Sequence, residues 1–427
     1  MEYFETKELS ERAILAGVHT GCIDPLDDSS EETLAELARL ADTAGAEVVG
    51  TMLQNRPSVD SAQYMGEGKL DELKNACDGL DANLVIFDDE LSPIQLRNIE
   101  RVLGVRVIDR SMLILDIFAR HAVTREGKIQ VELAQLRYLL PRLAGMGAQM
   151  SRLGAGIGTR GPGETKLETD RRHIRRRIGH LQEDLKEIKN HRELLRRRRE
   201  KDETLVCALV GYTNAGKSSL LNALTGADVL AEDKLFATLD PTMRALELAD
   251  GRLPMIVDTV GFIRKLPHHL IEAFKSTLEE AVFADLLLIV LDSSSDELDQ
   301  HIEVVSSLLK DIGAGAKPRL YVYNKIDQKP EGLVLSRHLP DADAVLEVSA
   351  HTGEGLDKLI ETLAELLPGK KQKVRALIPY DKGNILSILH RDQTVLSEEY
   401  EAEGTAVEAF VDAQGYALLR EFLTERE

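Results

Sequence analysis

With 427 residues the chain exceeds what one ordinary core serves, and its 43% apolar content is enough to bury roughly two to four domains. Three scattered cysteines, Cys22, Cys77 and Cys207, form no CxxC pair and exclude a disulfide framework; the lack of a basic-then-apolar leader at Met1 and of an apolar run of about eighteen residues excludes a membrane span, so a reducing, cytoplasmic compartment is expected. The net charge of −20 argues on average against a polyanionic partner, but thirteen Lys/Arg against five Asp/Glu lie between Arg171 and Lys201, which leaves the rest of the chain at −28.

In chain order, residues 1–110 read as a small α/β domain. The helical spacing of "SEETLAELARLADTAG" runs into "AEVVGTMLQ", "KLDELKNACDGLDAN" into "LVIFDD", and "SPIQLRNIERVLG" into "VRVIDR". Helix followed by strand, repeated, predicts a parallel sheet. Residues 111–201 read as helical on both sides of the glycine-rich stretch Gly145 to Gly163, "GMGAQMSRLGAGIGTRGPG". Leu133, Leu136, Leu140 and Leu143 step by three and four, as do Ile174, Ile178, Leu181, Leu185 and Ile188, with Leu195 one heptad further. Two such helices predict a long, basic antiparallel hairpin with the glycines at its tip; one long interrupted helix is the alternative.

Residues 202–367 alternate again, with "LVCALV", "LPMIVD", "DLLLIVLD", "RLYVYN" and "AVLEVS" each ending on a turn signal, the pattern of a doubly wound sheet that binds ligands at the carboxyl ends of its strands. "PGKKQK" reads as a linker, and residues 374–427 as a small α+β unit. No internal repeat is present, and the fold class expected is α/β and multidomain.

Chemistry concentrates in that doubly wound unit. "GYTNAGKS", Gly211 to Ser218, follows a strand and opens a helix, matching G-x-x-x-x-G-K-[ST]: backbone N–H groups surround phosphates, Lys217 reaches the β/γ-phosphates and Ser218 ligates Mg²⁺. "DTVG", Asp258 to Gly261, offers a carboxylate to the outer Mg²⁺ shell and a glycine N–H to a γ-phosphate. "NKID", Asn324 to Asp327, offers a fixed carboxylate for guanine N1–H and N2–H₂ and an amide for N7, while Ser349-Ala350 can give a backbone N–H to guanine O6. Together, in order and at strand ends, these elements predict a guanine nucleotide site. "GAGIG" in the glycine-rich stretch is no dinucleotide turn, because no strand precedes it.

The set resembles the G1, G3, G4 and G5 motifs of the translational GTPase class. The resemblance implies that Thr238 in "FATLDPT" is the switch threonine joining Mg²⁺ and γ-phosphate, with Thr242 its rival. It implies a nucleotide-contacting set of Gly211, Tyr212, Thr213, Asn214, Ala215, Gly216, Lys217 and Ser218; Phe236, Ala237, Thr238, Leu239 and Asp240; Asp258, Thr259, Val260 and Gly261; and Asn324, Lys325, Ile326, Asp327, Ser349, Ala350 and His351. Lys217, Thr238 and Gly261 carry the catalytic expectation, and Ser218, Thr238 and Asp258 the metal one. Phe262 stands where Ras-like proteins carry a water-orienting glutamine, which predicts slow intrinsic hydrolysis. Asn214 reads equally as a K⁺ ligand beside the phosphates or as a cap of its own loop.

The flanking runs "RLGAGIGTRGPGETKLETDRRHI", "GYTNAGKSSLLNALTGADV" and "FATLDPT", with "GEGK" at Gly66 to Lys69, are similar to the HflX family of bacterial GTPases. That similarity implies a monomeric, ribosome-stimulated GTPase whose N-terminal part docks on the large ribosomal subunit and its rRNA and splits or rescues stalled ribosomes. An assembly or rRNA-remodelling factor is the alternative. Arg142, Arg152, Arg160, Arg171, Arg172, Arg175, Arg176 and Arg177 are the expected RNA contacts, since Lys/Arg neutralise phosphates and a glycine-rich tip admits backbone to a narrow RNA cavity.

Overall fold

The computed structural model describes residues 11–21, 29–143, 162–201, 204–227, 235–236, 241–249, 252–265, 278–330, 333, 335–336, 339, 341–367, 372–401, 403–411 and 413–425. Three sheets organise them. The first is parallel, in the order β2 (Glu47–Asn55), β1 (Arg12–His19), β3 (Leu84–Phe87), β4 (Arg106–Asp109). Its helices are α1 (Glu31–Thr43), α2 (Glu67–Leu80) and α3 (Pro93–Leu103). Ser30 caps α1 reciprocally with Thr33, and Ser92 caps α3 with Gln95 behind a proline at the first turn, so both starts are written locally. Strand β1 is an addition to the three strands expected from the sequence. Its run "RAILAGVH" is buried along six consecutive residues, as a central parallel strand requires, and no helical period precedes it to announce it.

From β4 the chain enters α4 (Arg110–His121) and then α5 (Arg125–Leu143), which lies antiparallel to the 40-residue α6 (Pro162–Lys201). The direction follows from the rungs: Arg192 pairs with Glu126, Arg125 with Asp184, and Arg177 with Glu132. Ile129, Leu133 and Leu181 form the seam, flanked by Leu136, Ile178, Leu185 and Ile188. The hairpin is therefore the correct alternative; its expected glycine tip lies outside the described residues.

The central sheet has the order β10 (Ala344–Glu347), β9 (Arg319–Asn324), β8 (Leu286–Asp292), β5 (Val206–Gly211), β7 (Met255–Asp258), β6 (Thr242–Ala245). Only β6 runs antiparallel to its neighbour. Helices α7 (Lys217–Thr225), α8 (Leu298–Asp311) and α9 (Leu356–Leu366) pack on this sheet or its neighbours. The third sheet is antiparallel, ordered β12 (Thr394–Glu401), β13 (Gly404–Val411), β11 (Gln372–Ile378), β14 (Leu423–Glu425), with α10 (Gly383–Asp392) and α11 (Ala413–Leu419).

The first and central sheets share one core. Leu37, Phe118 and Tyr138 belong to the same buried cluster as Tyr212, Phe236 and Phe262. Such a continuous apolar contact resists rigid-body slippage between the two units. Among the described residues, no helix is long and apolar enough to cross a membrane.

Candidate functional site

The central sheet delivers four loops to the carboxyl ends of its strands. β5 ends on Gly211, and the loop Tyr212 to Gly216 leads into α7 at Lys217, so backbone N–H groups at a helix start surround one small volume. Gly216 sits at φ +88°, and a Cβ there would lie 2.3 Å from Asn324 Nδ2. Only glycine allows this close approach of loop and strand.

Lys217 folds back over the loop, its Nζ donating to the carbonyls of Tyr212 at 2.8 Å and Gly211 at 3.2 Å. Burial pushes its ammonium down to about 8; Asp258 opposes the shift and Lys325 adds to it. A phosphate placed beside it would further favour its charged form. Ser218 Oγ donates to Asp258 Oδ2 at 2.6 Å. A hydroxyl and a carboxylate make a sparse, hard-oxygen donor set, which fits Mg²⁺, a cation that completes its octahedron with phosphate oxygens and water.

Gly261 rests against this loop. The Phe262 N–H donates to the Gly211 carbonyl at 3.0 Å and the Thr213 N–H to the Phe262 carbonyl at 2.8 Å. The Phe262 ring is buried in the shared core, 1% exposed. The Thr259 hydroxyl donates to the Leu209 carbonyl at 2.6 Å, which ties the segment to the sheet, and Val260 is buried in the shared core.

The base-reading end is more tightly wired than the motifs disclose. Asn324 Nδ2 donates to the Ala215 carbonyl and Asn324 Oδ1 accepts from the Ala350 N–H, both at 3.0 Å. One amide thus ties three loops together; its second N–H can still serve a base nitrogen. The Ala350 N–H expected at guanine O6 thus lies at the same end of the site as Asn324 and is oriented by it. Asp327 Oδ1 accepts from Ser349 Oγ at 2.6 Å. That bond, ahead of the charge of His351, holds its carboxyl below the usual range. Lys325 Nζ reaches Asp292 at 2.7 Å, with its stem beside Gly216.

Other expected contacts lie elsewhere. Phe236 is buried edge-on against Phe118 of α4, with ring centroids 4.6 Å apart. Tyr212 points its hydroxyl to Glu36 of α1, away from the cradle. Arg142, expected to meet RNA, is spent internally: Nη2 donates to the Leu91 carbonyl at 2.7 Å and approaches Asp109 at 3.3 Å, and the guanidinium covers the Tyr138 ring at 3.4 Å. Arg177 is held by Glu132 through two bonds of 2.6 and 2.7 Å across the hairpin. Arg172, Arg175 and Arg176 are exposed, and Arg171 is half-buried. Ala237, Thr238, Leu239, Asp240, Arg152 and Arg160 lie outside the described residues. Glu36, Arg110, Arg264 and Lys265, absent from the sequence reading, gather beside the cradle.

Comparison with known proteins matches the chain along its length. Residues 31–119 match the model described as GTP-binding GTPase N-terminal, and residues 121–199 the GTP-binding GTPase Middle Region. Residues 206–325 match the 50S ribosome-binding GTPase model, and residues 335–418 the HflX C-terminal domain. The GTPase HflX of Caldanaerobacter subterraneus subsp. tengcongensis is 52% identical over 413 residues, covering 97% of this chain and 94% of that protein. The GTPase HflX of Lacrimispora saccharolytica is 49% identical over 418 residues, covering 98% and 97%. A crystal structure of SsGBP with GDP is 29% identical, covering 84% of this chain and 98% of that one, with a TM-score of 0.48.

Proposed function

The chain belongs to the HflX family of GTPases, and from that premise we propose that it docks on the large ribosomal subunit and splits or rescues stalled ribosomes, with GTP hydrolysis serving its release. One observation carries this reading: the hairpin presents Arg172, Arg175 and Arg176 to solvent. Exposed cations on a rigid helix meet the first requirement for an RNA phosphate surface. Arg152 and Arg160, earlier in the sequence, add two further cations to this proposed RNA-contacting set.

In this reading the loop Gly211 to Ser218 holds the phosphates, and Lys217 and Gly261 meet the γ-phosphate. Ser218 and Thr238 hold Mg²⁺, with Asp258 in its outer shell; the cation supplies charge neutralisation at the phosphates. Asp327 reads guanine. K⁺ at Asn214 supplies part of the charge that an arginine finger would bring, so exchanging K⁺ for Na⁺ slows hydrolysis, and an unchanged rate overturns that assignment. Binding in the GTP form drives separation of the subunits, because only a difference in affinity between two states moves an equilibrium. The protein works as a monomer in the cytoplasm.

Sedimentation with mature ribosomes, with precursor large subunits and with neither tests the partner. The GTP-loaded protein should pellet with mature large subunits and the GDP form should not. Reversing charge together at Arg172→Glu, Arg175→Glu and Arg176→Glu should lower that binding at least about tenfold with GTP affinity intact, because three phosphate contacts are replaced by repulsion. Pelleting with precursors alone would favour an assembly factor, and no pelleting overturns the ribosome reading.

A further inference from the structure

The segment that follows Phe262 is held in part from outside its own domain. Arg264 has both backbone groups fixed by side chains: its N–H donates to the Tyr212 hydroxyl at 2.9 Å, and its carbonyl accepts from Arg110 Nη2 at 3.1 Å. Each holder is itself anchored on the N-terminal sheet. The Tyr212 hydroxyl donates to Glu36 Oε1. Arg110 spans Glu36 Oε2 at 2.5 Å and Asp88 Oδ1 at 2.9 Å. The next residue, Lys265, reaches Asp88 at 2.8 Å, Asp89 at 2.6 Å and Ser29 Oγ at 3.1 Å.

The network is largely buried. Glu36, Asp88, Arg110, Tyr212 and Arg264 are all buried. Burial and then Glu36 push the Tyr212 hydroxyl well above its ordinary range, so it stays a donor. Burial would raise the Asp88 carboxyl, but Arg110 and Lys265 together hold it below its usual range. The Tyr212 ring stacks on His301 at 3.8 Å and 15°, which fixes where its hydroxyl points. At the other end of the segment, Phe262 pairs with Gly211 and Thr213. Residues 262–264 therefore run between two fixed ends, one on the phosphate loop and one on the N-terminal unit, and Gly261 adjoins the first of them.

We propose that Glu36 and Arg110 are positioning residues for GTP hydrolysis, acting through the Tyr212 hydroxyl and the Arg264 peptide groups to set the approach of Gly261 to the transferred phosphoryl group. Phosphoryl transfer to water is achieved almost wholly by placement and charge, and displacements near 1 Å are costly. With an apolar phenyl at Phe262, the placement of the backbone carries more of that task. The N-terminal unit in this way completes a site that lies in another domain. The proposal rests on GTPase activity alone, and intrinsic hydrolysis measured without ribosomes tests it whether or not the ribosome reading holds.

Single-turnover hydrolysis and GDP affinity of the full chain decide the matter. Tyr212→Phe removes one oxygen and should slow hydrolysis about tenfold, with GDP affinity within about twofold, because GDP lacks the phosphoryl group that Gly261 meets. Arg110→Lys keeps the charge and loses the fork, and should slow hydrolysis comparably. The double variant should fall little below the slower single one, since both holds act on one short segment. Glu36→Gln, which keeps an acceptor for the hydroxyl, should cost less than Glu36→Ala. An unchanged or faster rate in Tyr212→Phe, equal losses of rate and GDP affinity, fully additive effects, or Glu36→Gln as slow as Glu36→Ala would overturn it.

Discussion

Asp327→Asn should weaken GTP binding about a thousandfold and create a preference for xanthosine triphosphate. The carboxylate is a bidentate acceptor whose direction is set by the 2.6 Å bond from Ser349 Oγ. Guanine offers it two donors, N1–H and N2–H₂, and hydrogen bonds to a charged group are worth roughly 1.5–3 kcal/mol each. An asparagine amide turns one acceptor into a donor and places it against the exocyclic N–H₂, so one bond is lost and a donor–donor mismatch replaces it. A combined cost of about 4 kcal/mol corresponds to the thousandfold. Xanthine carries a carbonyl where guanine has the amine, which accepts the new donor. Competition between the two triphosphates for the variant checks this, and a variant that still prefers GTP refutes the role of Asp327.

Gly261→Ala should slow hydrolysis about a hundredfold while GDP affinity changes by no more than about threefold. A Cβ at this position would lie 2.8 Å from Thr213 Cα and 3.0 Å from Lys217 Nζ. The lysine end can shift; the Thr213 backbone cannot follow cheaply, because its N–H is committed to Phe262 and the Phe262 N–H to Gly211. The strain is relieved by moving residue 261 off the loop. A displacement of about 1 Å in a reacting geometry costs on the order of a hundredfold. Single-turnover hydrolysis beside GDP titration checks it, and a rate within about twofold of the parent contradicts the placement of Gly261.

The parts of this site that were legible are those encoded within a few residues. The phosphate loop needs glycines, a lysine and a serine at fixed offsets, and "NKID" needs a carboxylate three residues after an asparagine at a strand end; both patterns survive without knowledge of the fold. Tyr212 occupies a position of the loop motif that the motif leaves open, and its partner Glu36 lies 176 residues earlier, so no spacing rule connects them. Arg142 shows the opposite failure. Near a glycine-rich stretch it reads as an RNA contact, yet it closes on Leu91 and Asp109 from the adjacent sheet. A lone arginine in sequence does not disclose whether a carboxylate awaits it across the fold. The Ala350 N–H likewise meets a side chain 26 residues away, a contact that no local spacing discloses. Periodicity fared better where burial is one-sided, as along the hairpin seam, than for β1, whose continuous apolar run has no alternating face to reveal it.

The network around Glu36 and Arg110 and the burial of Phe236 against Phe118 place α1 and α4 in contact with two segments that follow the phosphate loop, and the shared core continues into the hairpin through Tyr138. A nucleotide-dependent shift in either segment would reach the hairpin through packed side chains and buried ion pairs, without passing through solvent. That is the physical route the proposed GTP gating would use. Light scattering of intact ribosomes mixed with the protein and a non-hydrolysable GTP analogue tests it most directly: the account predicts separation into subunits with the analogue and none with GDP, and ribosomes that stay intact with the analogue would contradict it.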